Sequence, residues 1–147
     1  MDSNEAIDIL LIEDSPADLE LTLRALERIA PRGAIRSFHD GTEALDFLRC
    51  RGNGGDRSHG QQVRVVLLDI NLPRISGLEV LKAIKADETL RAIPVIMLSS
   101  SREENDVATA YRYGANSYVA KPIEFEKFVH AVSQIGLYWL SLNEVPR

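Results

Sequence analysis

The sequence predicts an α/β protein built on a doubly wound, five-stranded parallel sheet with the strand order 2-1-3-4-5. Three observations lead to this fold class. Five short apolar runs alternate with segments of helical periodicity, which is typical of parallel strands joined by right-handed helical crossovers. The run at 63–68 is almost free of charge, as in a strand covered on both faces. Finally, polar side chains follow the strands at their carboxyl ends, where such sheets form their functional crevice.

Composition favours a water-soluble protein and excludes two large classes of partner. Of the 147 residues, 45% are apolar and 27% are charged, and no apolar run is long enough to span a membrane. A net charge of −5 implies no basic surface for nucleic acid. The acidic N-terminus is unlike a signal peptide, and a single cysteine, Cys50, fits a reducing compartment. We therefore expect a cytoplasmic protein that contacts neither nucleic acid nor membrane.

The first strand and helix are predicted from an apolar run followed by a strong helix-start signal. Residues 7–12 form the strand, Ser15 is the expected N-cap and Pro16 occupies the first helical position. Three leucines at helical spacing are expected to face the core, namely Leu19, Leu23 and Leu26. Thr22 is expected at the edge of that apolar stripe. The helix should end at Pro31 and Gly33.

The second strand and helix are followed by a glycine-rich loop. Residues 34–38 have little apolar content and predict an edge strand, and residues 40–42 begin the second helix. The core-facing residues of that helix are expected to be Ala44, Leu45 and Leu48. Residues 52–62 predict a mobile loop of variable length, in which His59 is expected to be solvated.

The second half of the chain supplies three further strands and three further helices. The strands are predicted over 63–68, 93–98 and 117–120, and the helices over 77–86, 103–113 and 124 to about 140. The last helix should bury Phe125, Phe128, Val132 and Ile135. The whole of 1–147 is expected to form one domain, with 137–147 as a C-terminal extension.

Five polar residues are expected to converge at the carboxyl edge of this sheet. They are Glu13 and Asp14 after the first strand, Asp69 after the third, Ser99 after the fourth and Lys121 after the fifth. In a flavodoxin-like strand order the first and third strands are neighbours at the switch point, so three carboxylates meet there. Such a cluster calls for a cation, and hard oxygen ligands suit Mg²⁺. A lysine and a hydroxyl beside Asp69 predict a site for a phosphoryl group on that carboxylate.

The same residues carry a family resemblance. Glu13-Asp14, the Leu-Leu-Asp-Ile-Asn-Leu-Pro-Arg-Ile-Ser-Gly run around Asp69, Ser99 after Pro-Val-Ile-Met-Leu, and Lys121-Pro122 resemble the receiver domain of two-component response regulators. The resemblance covers nearly the whole chain and implies the receiver fold. It implies that Asp69 accepts a phosphoryl group from a histidine kinase. It also implies that Mg²⁺ is bound by the side chains of Asp14 and Asp69, by the backbone carbonyl of Asn71, and by Glu13 through water.

The resemblance further implies how such a protein signals. Ser99 and Lys121 would bind the phosphoryl oxygens, Tyr118 would be the switch aromatic, and Lys121-Pro122 would be a cis peptide bond. The surface of the fourth helix, fifth strand and fifth helix would change on phosphorylation. No enzymatic activity is expected beyond self-phosphorylation from a phosphodonor and self-dephosphorylation.

Within the family, the chain looks most similar to the small regulators paired with bacterial and cyanobacterial phytochromes. The resemblance rests on the loop before the third strand, on the tail around Trp139 and on the absence of an output domain in this sequence. Tyr138, Trp139 and Leu142 are apolar enough to indicate an interface, either in a homodimer or with a phytochrome-type kinase. The alternative is a helix end that folds back on its own domain.

Other functions remain open on the sequence alone. An aspartyl-nucleophile phosphatase would share the strand-end acids and Mg²⁺, but it normally has a general acid two residues after the nucleophile, where this chain has Asn71. A phosphorelay intermediate that passes the phosphoryl group onward is a further alternative. A flavin-binding module shares the strand order, but acids at the switch point would repel a flavin phosphate. A receiver that serves only as an interaction module is disfavoured by the complete set of site residues.

Overall fold

The computed structural model describes residues 7–50, 63–100, 103–121 and 124–142, and it confirms the predicted fold class. Strands and helices alternate along the chain. Their bounds are β1 Ile9–Ile12, α1 Pro16–Leu26, β2 Ile35–Phe38, α2 Gly41–Arg49, β3 Val65–Leu68, α3 Gly77–Ala86, β4 Val95–Ser99, α4 Glu104–Arg112, β5 Ser117–Ala120 and α5 Phe125–Leu137. A 3₁₀ turn, Arg32–Ala34, precedes β2, and a π-helical turn, Tyr138–Leu142, follows α5.

The five strands form one parallel sheet in the order β2-β1-β3-β4-β5, as the sequence predicts. The register places Ile12 opposite Leu68, Leu68 opposite Met97, and Ser99 opposite Ala120. The strands therefore end at a common edge, and the residues that follow them are brought together there. This edge is the one at which the sequence places the functional residues.

Alternating side chains of the strands build two separate hydrophobic cores, one on each side of the sheet. The first core contains Leu10 and Leu68 and is closed by α2, α3 and α4. The second core contains Leu11 and Leu67 and is closed by α1 and α5. β1, β3 and β4 are buried along their whole length, because helices cover both of their faces.

Three strands begin later than their apolar runs, and backbone chemistry explains two of these differences. β4 begins at Val95 because Pro94 has no N–H to donate to the ladder, although its carbonyl still accepts from Val66 N at 2.9 Å. β3 begins at Val65 because the single carbonyl of Asp8 accepts from both Arg64 N and Val65 N. β1 begins at Ile9, two residues into its predicted run.

The first helix begins as predicted, but one of its residues lies elsewhere than expected. Ser15 is the N-cap and Pro16 is the first helical residue. Thr22 is completely buried, whereas the sequence placed it at the edge of the apolar stripe. It is accommodated there because its hydroxyl donates to the carbonyl of Asp18 at 2.8 Å. α1 ends at Leu26, and a turn leads from it to Pro31.

The last helix buries the residues predicted for it wherever their side chains are described. Phe128, Val132 and Ile135 belong to the second core. The side chains of Phe125 and Leu142, the loop at 52–62 with His59, and the Lys121–Pro122 peptide bond lie outside the part of the chain that the structure describes. Within that part, no helix combines the length and the apolar character needed to cross a membrane. That the whole chain forms one domain stays a prediction.

Candidate functional site

Asp69 lies at the centre of the carboxyl edge of the sheet, immediately after β3. Its backbone N–H donates to Ile12 O at 3.1 Å, and its side chain is almost fully buried. One carboxylate oxygen, Oδ1, accepts a hydrogen bond from the backbone N–H of Ile70 at 2.7 Å. The chain then turns back so closely that a Cβ at Gly77 would lie 1.9 Å from the carbonyl oxygen of Asp69. The position of this carboxylate is therefore fixed by the backbone around it.

Lys121 brings a buried ammonium to the same place from the end of β5. Its backbone N–H donates to Ser99 O at 2.7 Å, which continues the pairing of β4 with β5. Its side chain is only 7% exposed, and Nζ lies 3.2 Å from Asp69 Oδ2 and 2.9 Å from Asp18 Oδ2. A third contact joins Nζ to Oε1 of Glu13. One ammonium is thus shared by three carboxylates.

Glu13 is the most deeply buried of the three carboxylates. Its second oxygen, Oε2, accepts from the backbone N–H of Ser15 at 3.2 Å. Burial raises the pKa of Glu13 to about 7, helped by a hydrogen bond and charge repulsion from Asp69 and opposed by Lys121. Burial by itself lowers the pKa of Lys121. Its hydrogen bonds to Glu13 and Asp18 and the charges of Glu13 and Asp69 outweigh this effect, so the pKa of Lys121 is raised overall. The site holds more negative charge than one lysine neutralises.

The other predicted site residues divide into buried and exposed members. Ser99 is completely buried at the end of β4, and Tyr118 is half-buried on β5 and packs against the first core. Asp14 and Asn71 are exposed within the loops that follow β1 and β3. Among residues 7–50, 63–100, 103–121 and 124–142, no three acidic, histidine or cysteine side chains are already arranged as a metal site.

The loop between β3 and α3 is tied to the N-terminus of α2. Arg74 has a left-handed backbone, with φ at 66°, which is uncommon for a residue with a side chain. Its Nε lies 3.1 Å from Oδ2 of Asp40, whose own side chain is 5% exposed. The other oxygen of Asp40 accepts from Thr42 N at 2.7 Å and so caps α2. This ion pair holds the loop that carries Asn71.

Two parts of this site were not predicted from the sequence. They are the contact of Asp18 with Lys121 and the ion pair of Arg74 with Asp40. The spacing of Asp18 from Ser15 is typical of a capping box, in which a carboxylate three residues after the N-cap accepts from the backbone N–H of the N-cap residue. That donor is taken by Glu13 here, which frees Asp18 for Lys121.

Chemically, the arrangement presents an oxygen nucleophile next to a fixed positive charge. A carboxylate attacks an electrophilic phosphorus readily only if the charge that builds up on the phosphoryl oxygens is neutralised. The ammonium of Lys121 is placed where it could supply part of that neutralisation, and an excess of carboxylates is the kind of charge that a divalent cation neutralises.

Comparison with known proteins identifies the family of this chain. The response regulator receiver domain family matches residues 9–133. The probable methanogenesis regulatory protein FilR2 of Methanothrix harundinacea is 43% identical over 146 residues, which cover 99% of this chain and 92% of FilR2. Response regulator Rcp1 of Synechocystis is 33% identical over 145 residues, which cover 99% of this chain and 97% of Rcp1.

Solved structures of response regulators superpose on this fold. The phosphorylated cyanobacterial phytochrome response regulator RcpA matches with a TM-score of 0.84 and 34% identity, over 97% of this chain and 100% of RcpA. The Mn²⁺-bound form of Rcp1 matches with a TM-score of 0.82 and 32% identity, over 96% of this chain and 99% of Rcp1. A divalent cation is therefore bound by a protein of the same fold and similar sequence.

Proposed function

The chain belongs to the response regulator receiver family, and from this membership we propose that it accepts a phosphoryl group on Asp69 from a histidine kinase of the phytochrome type. Membership makes it a signalling protein of two-component systems, and it does not favour the phosphatase alternative. The kinase type is supported by RcpA, which is a cyanobacterial phytochrome response regulator. We propose a cytoplasmic location for the protein, since histidine kinases act on their regulators there.

The observation that carries this proposal is the contact of Lys121 Nζ with Asp69 Oδ2 at 3.2 Å, between two side chains that are almost fully buried. In the proposed step, a carboxylate oxygen of Asp69 attacks the phosphorus of a phosphohistidine. An O–P bond forms, the P–N bond breaks, and the electron pair of that bond leaves with the imidazole. Lys121 and the hydroxyl of Ser99 would bind the phosphoryl oxygens.

The residues present fit a Mg²⁺ ion in the same pocket. The pKa of Glu13 is raised first by burial and then by Asp69, which indicates that an additional positive charge would stabilise this group of carboxylates. The side chains of Asp14 and Asp69 and the backbone carbonyl of Asn71 would hold the ion, and Glu13 would contact it through water. Bound Mg²⁺ would neutralise charge on the transferred phosphoryl group. Mn²⁺ binding by Rcp1 supports this assignment.

Phosphorylation would be transmitted through Ser99 and Tyr118. A phosphoryl group adds about −1.5 to −2 charge and three acceptor oxygens. Ser99 would move to donate to one of these oxygens, and Tyr118 would turn inward into the space this movement opens. The surface formed by α4, β5 and α5 would change with the position of Tyr118.

We further propose that the protein transmits its signal by forming a homodimer or a complex with the kinase, and that the surface at its C-terminal end makes this contact. Leu137 and Tyr138 are each about half exposed there, with values of 50% and 47%. Trp139 stacks edge-on against Tyr138 at 5.0 Å and also packs on the second core. Exposed aromatic and aliphatic groups side by side favour a protein partner.

One experiment tests the central assignment. Purified protein is incubated with acetyl phosphate and Mg²⁺, and the modified residue is located by mass spectrometry after borohydride trapping. Asp69→Asn should fold and take up no phosphoryl group, whereas Asp46→Asn, at an exposed position on α2, should label at the unmodified rate. Normal labelling of the Asp69→Asn variant would overturn the assignment. A phosphorylated phytochrome kinase used as donor tests the kinase type in the same assay.

A further inference from the structure

The three N–H groups of the Lys121 ammonium can each serve one acceptor, and three carboxylates surround them. Glu13 and Asp69 are buried, with side chains 3% and 9% exposed. Asp18 differs because its side chain is 41% exposed. An ammonium with all of its donors engaged has none left for a newly arrived phosphoryl oxygen. Before the O–P bond to Asp69 forms, an incoming phosphoryl oxygen can therefore reach the ammonium only if one of the three contacts is given up.

Asp18 is held in place by its backbone in the first turn of α1, and its carboxylate extends from there to Lys121. Its N–H donates to Ser15 Oγ at 3.3 Å, and its carbonyl accepts from the Thr22 hydroxyl at 2.8 Å. A carboxylate at this third helical position commonly accepts from the N-cap N–H. Here Glu13 Oε2 already accepts from Ser15 N, so the Asp18 carboxylate reaches Lys121 instead. The contact with Lys121 is thus the specific role of this side chain.

We propose that Asp18 is a positioning residue that restrains Lys121 in the unphosphorylated protein and releases it when Asp69 carries a phosphoryl group. This inference rests on the proposed phosphorylation of Asp69. Asp18 is the member to leave because water can replace its lost partner, whereas the buried carboxylates of Glu13 and Asp69 would be left without compensation until the O–P bond has formed. Its negative charge also opposes the approach of an anionic phosphodonor. The restraint on Lys121 and the repulsion of the phosphodonor both slow the phosphorylation of Asp69.

The test compares two charge-removing substitutions on the same helix. Asp18→Asn should be phosphorylated by acetyl phosphate about threefold faster than the unmodified protein, which corresponds to an exposed ion pair of ordinary strength. Glu20→Gln removes an exposed charge that pairs with Arg24, and it should leave the rate unchanged. Asp18→Glu keeps the carboxylate and should restore the slow rate.

A second measurement separates positioning from a structural effect. The ammonium ¹⁵N signal of Lys121, identified by its loss in Lys121→Ala, should shift in Asp18→Asn and stay unchanged in Glu20→Gln, without any phosphodonor. An unchanged ammonium signal in Asp18→Asn overturns the inference even if Asp69 is phosphorylated normally. An equal or lower rate for Asp18→Asn also overturns it. Absence of labelling in the unmodified protein would instead count against the proposed function, and the inference would fall with it.

Discussion

Glu13 joins Lys121 to the start of α1: Oε1 accepts from the lysine ammonium, and Oε2 accepts from the backbone N–H of Ser15 at 3.2 Å. The carboxylate is 3% exposed, and its burial is the main reason that its pKa is raised to about 7. A residue that would be charged in water is thus close to half-protonated at neutral pH. This property makes both stability and metal binding depend on pH.

Stability without metal should fall as the pH rises through the range in which Glu13 titrates. Between pH 4.5 and about 7 the folded chain keeps a proton on Glu13 that the unfolded chain has lost. The stabilisation that this proton gives the folded state is fully present below pH 4.5 and is lost as the pH rises through about 7. The loss is about 3 kcal/mol at most. Urea unfolding with a chelator present, at several pH values in that range, measures it.

Glu13→Gln provides the comparison for this pH dependence. The amide does not titrate, so the variant should show a much flatter profile between the same pH values. Glu20→Gln, on the exposed face of α1, should keep the slope of the unmodified protein. An identical slope for Glu13→Gln and the unmodified protein would assign the titration to another group.

Mg²⁺ should stabilise the protein, and more strongly above pH 7 than below it. Below about 7 the proton on Glu13 competes with the cation for the pocket, and above it the carboxylate is charged. Asp14→Ala should abolish most of the Mg²⁺-induced rise in melting temperature, whereas Asp46→Ala should retain it. Thermal unfolding at increasing Mg²⁺ concentration decides this, and a full rise in Asp14→Ala would place the ion elsewhere.

Ser99→Ala should separate phosphorylation from signalling. The hydroxyl is buried at the end of β4, and the variant keeps the backbone carbonyl that accepts from Lys121 N. We expect the variant to accept a phosphoryl group on Asp69 yet to leave Tyr118 in its unphosphorylated position. NMR of the Tyr118 ring with and without phosphodonor measures this coupling. A ring shift as large as that of the unmodified protein would exclude the route through Ser99.

Gly77→Ala should reduce both stability and phosphorylation. The added Cβ would lie 1.9 Å from the carbonyl oxygen of Asp69 and 2.9 Å from the Cα of Ile70, so backbone must move. We expect a loss of roughly 2 kcal/mol or more in the free energy of unfolding, because overpacking against rigid atoms is poorly relieved. Gly136→Ala is the control, since its Cβ meets only the end of the Ile29 side chain. Equal losses in the two variants would contradict this reasoning.

The C-terminal surface should support self-association that depends on its exposed residues. Tyr138→Ser should weaken a homodimer without affecting folding, because the ring is 47% exposed. Trp139→Ala should lower stability as well, because this residue packs on the second core. Truncation after Gly136 should remove the association. Sedimentation at several concentrations, with and without phosphodonor, measures it, and a monomer throughout would exclude the homodimer.

Much of this molecule could be predicted because its sequence patterns are local. Apolar runs fix the strands, and Ser15 with Pro16 fixes the start of α1. The approach of Glu13, Asp69 and Lys121 follows from strand order, since residues at one edge must meet. The partner of Asp18 could not be predicted this way, because it depends on which of two carboxylates reaches the N–H of Ser15.

Features that depend on a single backbone angle or on long-range packing also could not be predicted from the sequence. The left-handed conformation of Arg74 carries no local signal, since glycine or asparagine is the usual residue there. The burial of Thr22 depends on how α5 covers α1, which the periodicity of α1 alone does not contain.

The separation of the two cores gives the protein a built-in optical probe of one face. Trp139 is the only tryptophan and packs on the second core, whereas Tyr118 packs on the first core across the sheet. Tryptophan emission will therefore report the environment of α1 and α5 and will be insensitive to a ring turn confined to the opposite side. Constant emission on phosphorylation would locate the signal on the α4 side. A spectral shift would mean that the change reaches the side of α1 and α5, either through the sheet or through altered association of the C-terminal surface.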